Sequence, residues 1–144
     1  MKKRFVLGCM GLAAVLLGGA SAASQEGDDI RVLGKEGINN FTSGKTFHYI
    51  YRGDDRGEEQ HGVDGKATWR LPDGTCYHGV WAVDGPVLCY YYGADRYGCW
   101  NVVERGGEYS HAPVGLDGVP TGGSHVIIDR ISEEPVGCAP QQLS

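Results

Sequence analysis

Beyond residue 22 the chain has no apolar run long enough to cross a bilayer as a helix, which excludes a spanning segment there. Basic charge is also scarce. There are 13 Lys and Arg against 18 Asp and Glu, for a formal net charge of −5. That balance argues against nucleic acid or an anionic membrane as a partner. Standard catalytic signatures are missing. None of the five histidines, His48, His61, His78, His111 and His125, sits in an H-E-x-x-H arrangement or another standard zinc spacing. There is no G-x-S-x-G elbow and no phosphate-cradling glycine loop. Alternation of helix and strand patterns is missing too, which excludes a parallel sheet. No metal and no cofactor is expected.

The N-terminus carries a clear address. Lys2, Lys3 and Arg4 precede the uncharged run FVLGCMGLAAVLLGGA, and Ala20-Ser21-Ala22 supplies the small residues of a cleavage site. Residues 1–22 read as a secretory signal peptide and 23–144 as one β-rich domain with an irregular C-terminal tail. Val6-Leu7-Gly8-Cys9 looks like a lipoprotein box, but it precedes most of the apolar run, so cleavage there would leave the signal unformed. Loss of the three basic residues takes the formal net charge from −5 to −8. The expected location is periplasmic or secreted.

Four cysteines follow the signal: Cys76, Cys89, Cys99 and Cys138. An even number in a small exported chain reads as two disulfides. Cys76-x-His78 is a weak zinc pattern beside that.

From residue 65 onward, turn signals recur about every ten residues: Pro72-Asp73-Gly74, Asp84-Gly85, Gly93-Ala94-Asp95 and Gly106-Gly107 separate β-rich runs. With TFHYIYR (46–52) before them and SHVIIDRIS (124–132) after, they predict an antiparallel meander, curled or closed into a small lipocalin-like barrel. One short helix is expected within DDIRVLGKEGINNF, capped by Asp28 or Asp29. RGDDRGEEQHGVDG reads as a charged, solvated loop, and the pairs Asp54/Asp55, Glu58/Glu59 and Glu133/Glu134 as solvated surface.

The turns also predict register. Leu71 opposite Thr75 sets Trp69 against Tyr77 and Ala67 against Gly79. An Asp84-Gly85 turn sets Trp81 against Leu88 and Gly79 against Tyr90. Tyr92 opposite Arg96 sets Leu88 against Trp100, Tyr90 against Gly98 and Cys89 against Cys99. One face then collects Trp69, Leu71, Tyr77, Trp81, Leu88, Tyr90, Tyr92, Trp100 and Val102; the other carries Cys76, His78, Val80, Cys89, Tyr91, Cys99 and Asn101. Cys89–Cys99 bridges neighbouring strands, and by elimination Cys76–Cys138 pins the tail across the sheet.

Gly44-Lys45-Thr46, Leu71-Pro72-Asp73-Gly74-Thr75, Gly79-Val80-Trp81, Leu88-Cys89 and Cys99, together with the signal peptide, resemble a family of small exported proteobacterial proteins that is a domain of unknown function. The likeness covers roughly residues 30–110; Cys76 and Cys138 lie outside its pattern. It implies an exported β-rich domain and no established activity. More distantly, the Gly-x-Trp…Cys rhythm is similar in architecture to lipocalin-like inhibitors of secreted proteases.

The expected function is a non-catalytic binding module for a small ligand or a protein partner. Tyr77 and Tyr92 would stand at one barrel mouth, and His78 beside the aromatic sheet is the remaining candidate. The alternatives are a small hydrolase using His78 with nearby carboxylates, and a secreted protease inhibitor.

Overall fold

The structure, a computed structural model, describes residues 29–139. The expected signal peptide and the last five residues lie outside that range. Among the described residues, nine strands run in chain order: β1 (Ile30–Val32), β2 (Thr46–Ile50), β3 (Arg56–His61), β4 (Lys66–Arg70), β5 (Cys76–Asp84), β6 (Val87–Tyr91), β7 (Tyr97–Arg105), β8 (Glu108–Val114) and β9 (Val126–Ser132). Each strand from β2 to β9 pairs antiparallel with the next, and β9 pairs back onto β2. The meander thus closes into an eight-stranded barrel. Closure removes the unpaired edges that an open sheet of this length would present. The ninth strand, β1, lies along the far part of β7, where Val32 pairs with Val103.

One helix, α1 (Lys35–Thr42), covers one end of the barrel. The helix begins at Lys35 with Gly34 as its N-cap, not at Asp29, because Ile30–Val32 is drawn into the sheet by β7; Asp28, the other expected cap, lies outside the described residues. Ile38, fully buried, and Leu33 pack with Trp81, Leu88 and Val102. Phe41 touches the Phe47 ring at 5.1 Å and Tyr109 at 4.4 Å, joining this cluster to Phe47, Tyr49 and Ile128. These clusters close this half of the interior with mainly apolar side chains.

Two of the three predicted registers hold: Trp69 faces Tyr77, and Cys89 faces Cys99 with Leu88 against Trp100. The β5–β6 register is displaced by two residues. Asp84 pairs with Val87, so the turn is Gly85-Pro86 and Trp81 faces Tyr90 rather than Leu88. Gly85 takes φ +55 at the first turn position, which costs glycine nothing, whereas an Asp84-Gly85 turn would force aspartate into that region. A two-residue slip preserves which face each side chain occupies, so the aromatic face survives. Gly79 now lies under Tyr92: a Cβ there would sit 2.7 Å from the Tyr92 ring and 2.1 Å from the Tyr91 carbonyl oxygen.

The largest departure is β3. Residues 56–61, expected in a solvated loop, form a strand with Gly57, Glu59 and His61 buried. The pairing of Glu59 with Phe47 on one side and Trp69 on the other fixes this register. Both disulfides, Cys89–Cys99 and Cys76–Cys138, are present. The second holds the tail on the outer wall, where Val136 is buried and its N–H donates to Gln60 Oε1 at 3.2 Å.

Candidate functional site

Away from α1 the barrel opens into a cavity of about 440 Å³. Its wall is mainly aromatic: Tyr49 from β2 with Tyr51 just beyond that strand, Trp69 from β4, Tyr90 near the end of β6 with Tyr92 just beyond, and Trp100 from β7. The exposed turn carrying Asp95 and Arg96 borders it. Glycine makes room for these rings. Gly57 lies beneath Tyr51, where a Cβ would come within 2.6 Å of the ring, as Gly79 lies beneath Tyr92. Tyr90 and Tyr92 stack at 6.3 Å, and Trp69 lies 5.7 Å from Tyr92.

Set into this wall is one carboxyl group. Glu59 is only 5% exposed. Tyr49 donates to its Oε2 at 2.5 Å, and Tyr92 donates to its Oε1 at 2.6 Å. Burial raises its pKa to about 7, against the pull of the tyrosine donors in the other direction. The carboxyl in turn adds to the burial that holds Tyr49, Tyr90 and Tyr92 well above the ordinary phenol range. Tyr51, which accepts from Trp69 Nε1 at 2.9 Å, is raised to about 12, chiefly by burial.

Two histidines complete the polar chain. His61 Nδ1 is 2.9 Å from the Lys45 carbonyl oxygen, which can only accept, so Nδ1 carries the proton. Nε2 then accepts from the Tyr90 hydroxyl at 2.8 Å. Glu59 Oε2 lies 3.8 Å from that nitrogen, but burial lowers the His61 pKa to about 4, so the imidazole stays neutral near pH 7. His111 faces the Tyr49 hydroxyl at 3.4 Å through Nδ1; its buried Nε2 has no hydrogen-bond partner. Burial, and then the neighbouring His61, lower its pKa to about 3.

Of the residues singled out from the sequence, Tyr92 is part of the cavity wall. Tyr77 stands beside it, 5.8 Å from the Trp69 ring, with the Arg96 guanidinium 3.9 Å over its own ring. His78 points to the outer face of β5. There it meets Thr68 Oγ1 at 3.2 Å and borders the disulfide-held tail. Among the described residues no carboxylate forms an ion pair with it. The cavity and His78 therefore lie on opposite sides of one wall.

Sequence reasoning missed Glu59, His111 and Tyr49 as cavity residues, and His61 as the buried partner of Tyr90 behind them. Arg56-Gly57-Glu58-Glu59-Gln60-His61 carries no usable signal, because hydrophobic periodicity cannot see an inward row made of Gly, Glu and His. Glu59 thus corrects the reading of Glu58/Glu59 as surface. Glu58 does face outward. There it forms a row with His48 (Nδ1 to Oε1, 3.1 Å) and Ser132 (Oγ to His48 Nε2, 2.9 Å), with Arg130 Nη2 also 3.3 Å from Nδ1. This row spans three strands of the outer wall, away from the cavity. No group of His, Cys, Asp and Glu suited to a metal ion occurs among the described residues. Comparison of the chain with protein families, with curated proteins and with solved structures finds no match.

Proposed function

We propose that this chain is a non-catalytic, exported binding module whose barrel takes a small ligand. The carrying observation is the aromatic cavity of about 440 Å³ with a few convergent polar groups, a size and lining suited to a small molecule. One end of the barrel is packed shut by Ile38, Leu33 and Phe41, so the interior is stable without filling its other half. Tyr92 lines the cavity and Tyr77 flanks it, with His78 outside. Export draws support from the N-terminal cationic and apolar segments and from the two disulfides. Kinship with the exported proteobacterial family of unknown function is part of the same proposal.

The test is a small-molecule screen read by thermal shift and tryptophan fluorescence, with Tyr92→Ala and Tyr77→Ala alongside. A ligand at about 100 times its Kd should add roughly 2.7 kcal/mol of stability. Tyr92→Ala should abolish that gain, and Tyr77→Ala should reduce it. The proposal fails if no compound shifts the transition while the protein turns over a hydrolysable substrate and His78→Ala stops it.

A further inference from the structure

Glu59 is a buried acid with no cationic partner among the described residues. The neighbouring nitrogen, His61 Nε2, is occupied by the Tyr90 hydroxyl, and Arg96 sits over Tyr77 on the exposed turn. Each carboxylate oxygen accepts one tyrosine, which leaves about half of its acceptor capacity unused. A buried carboxylate without a countercharge is costly, and the protein retains it facing a cavity. Around it stand Tyr49, Trp69, Tyr90 and Tyr92, whose ring faces attract a cation. An inorganic ion stripped of its water does not suit this setting, since hard cations require six or more oxygens and the wall offers one carboxyl and a few hydroxyls. The net charge of −5 favours the approach of positive ligands.

We propose that the cavity selects a small organic ammonium ion, its nitrogen seated against the Glu59 carboxylate and its carbon skeleton against the aromatic wall. This rests on the reading of the barrel as a small-ligand module and specifies the ligand class. The ammonium supplies the missing charge, and its N–H groups use the free acceptor positions. The groups facing Glu59 are Tyr49 from β2 and Tyr51 just after it, His61 on its own strand, Tyr90 and Tyr92 at β6, and His111 from β8, with Asp95 and Arg96 on the bordering turn. Burial holds the tyrosines protonated and both histidines neutral from mildly acidic to mildly basic pH. Within the cavity, Glu59 is left as the group that changes charge there, so cation binding should strengthen as pH rises through its titration and should release a proton from it.

Three probes of closely similar shape separate the possibilities: 3-phenylpropylammonium, the neutral 3-phenylpropan-1-ol and the anionic 3-phenylpropionate. Binding to the whole protein is read by fluorescence of Trp69 and Trp100 and by calorimetry in buffers of different ionisation enthalpy. At about pH 8 the ammonium should bind at least about tenfold tighter than the alcohol, and that preference should shrink at about pH 5.5. Glu59→Gln should erase the preference; Glu59→Asp, which keeps the charge, should retain part of it. Equal or tighter binding of the alcohol or the anion overturns the ammonium assignment but leaves a binding module standing. So does a preference that survives Glu59→Gln in a protein with native near-UV circular dichroism. Binding of none of the three overturns the assignment as well, and the broad screen above then decides the module itself.

Discussion

Glu59 places an acid where acids are seldom tolerated, and its cost should be measurable. Its pKa in the fold is about 7 and its unperturbed value 4.5, so between these the native state holds a proton that the unfolded chain has released. Stability from this group therefore falls as pH rises from about 4.5 to 7 and is flat above. His61 and His111 act oppositely. Their values are lowered to about 4 and about 3, so the stability they contribute is complete above about pH 6.5 and is lost as pH falls through those values. Acid denaturation should therefore be driven by the two histidines and partly offset by Glu59. Denaturant titrations of wild type and Glu59→Gln at about pH 5 and pH 8 isolate the acid: the difference should move by about 2–3 kcal/mol in favour of Gln at the higher pH. A pH-independent difference would mean that the carboxyl ionises as freely in the fold as in the unfolded chain.

The elements divide into those that announce themselves and those that do not. The β4–β5 and β6–β7 hairpins do, because Pro72-Asp73-Gly74 and Gly93-Ala94-Asp95 set loop length and hence register. The β5–β6 hairpin misleads by one turn position, since Asp-Gly and Gly-Pro are both good turn pairs and overlap at Gly85. β3 does not announce itself at all: its inward residues are Gly57, Glu59 and His61, and only the neighbouring strands make them interior. The disulfides give a prediction at this level. Cys76–Cys138 closes a span of 62 residues and Cys89–Cys99 one of 10. On chain entropy, Cys138→Ser with Cys76→Ser should cost roughly 1.5 kcal/mol more than the Cys89/Cys99 double serine variant. Equal losses, by equilibrium denaturation, would show that strand pairing already restricts the longer loop in the unfolded ensemble.

Across the whole barrel, the interior is divided between a filled half under α1 and an open half around Glu59. The tryptophans report that division. Trp81 is buried against Tyr90 and the helix cluster, and its Nε1 donates to the Gly62 carbonyl at 3.0 Å. Trp100 borders the cavity and is only half-buried. Trp81→Ala should cost about 3–5 kcal/mol, while Trp100→Ala should cost clearly less, because part of its surface already faces open space. Equal costs in denaturant unfolding would mean that the cavity collapses around Trp100 in solution.

The sequence by itself determined the all-β class, the alternation that places all three tryptophans on one face, and both disulfides. These depend on period-two patterning and on turn chemistry, which are local and survive even a two-residue error in register. It did not determine closure, which requires β9 to return to β2 and pair Ser132 with Thr46, and no local pattern encodes a pairing of that separation. Nor did it reveal the site. A glutamate reads as solvated until the fold surrounds it, and Glu59 is surrounded only when β2, β4 and the turn after β6 bring Tyr49, Trp69 and Tyr92 against it. Tertiary structure decided the chemistry of this barrel because burial, which sets the charge and partners of Glu59, is a property of the closed sheet and not of any segment within it.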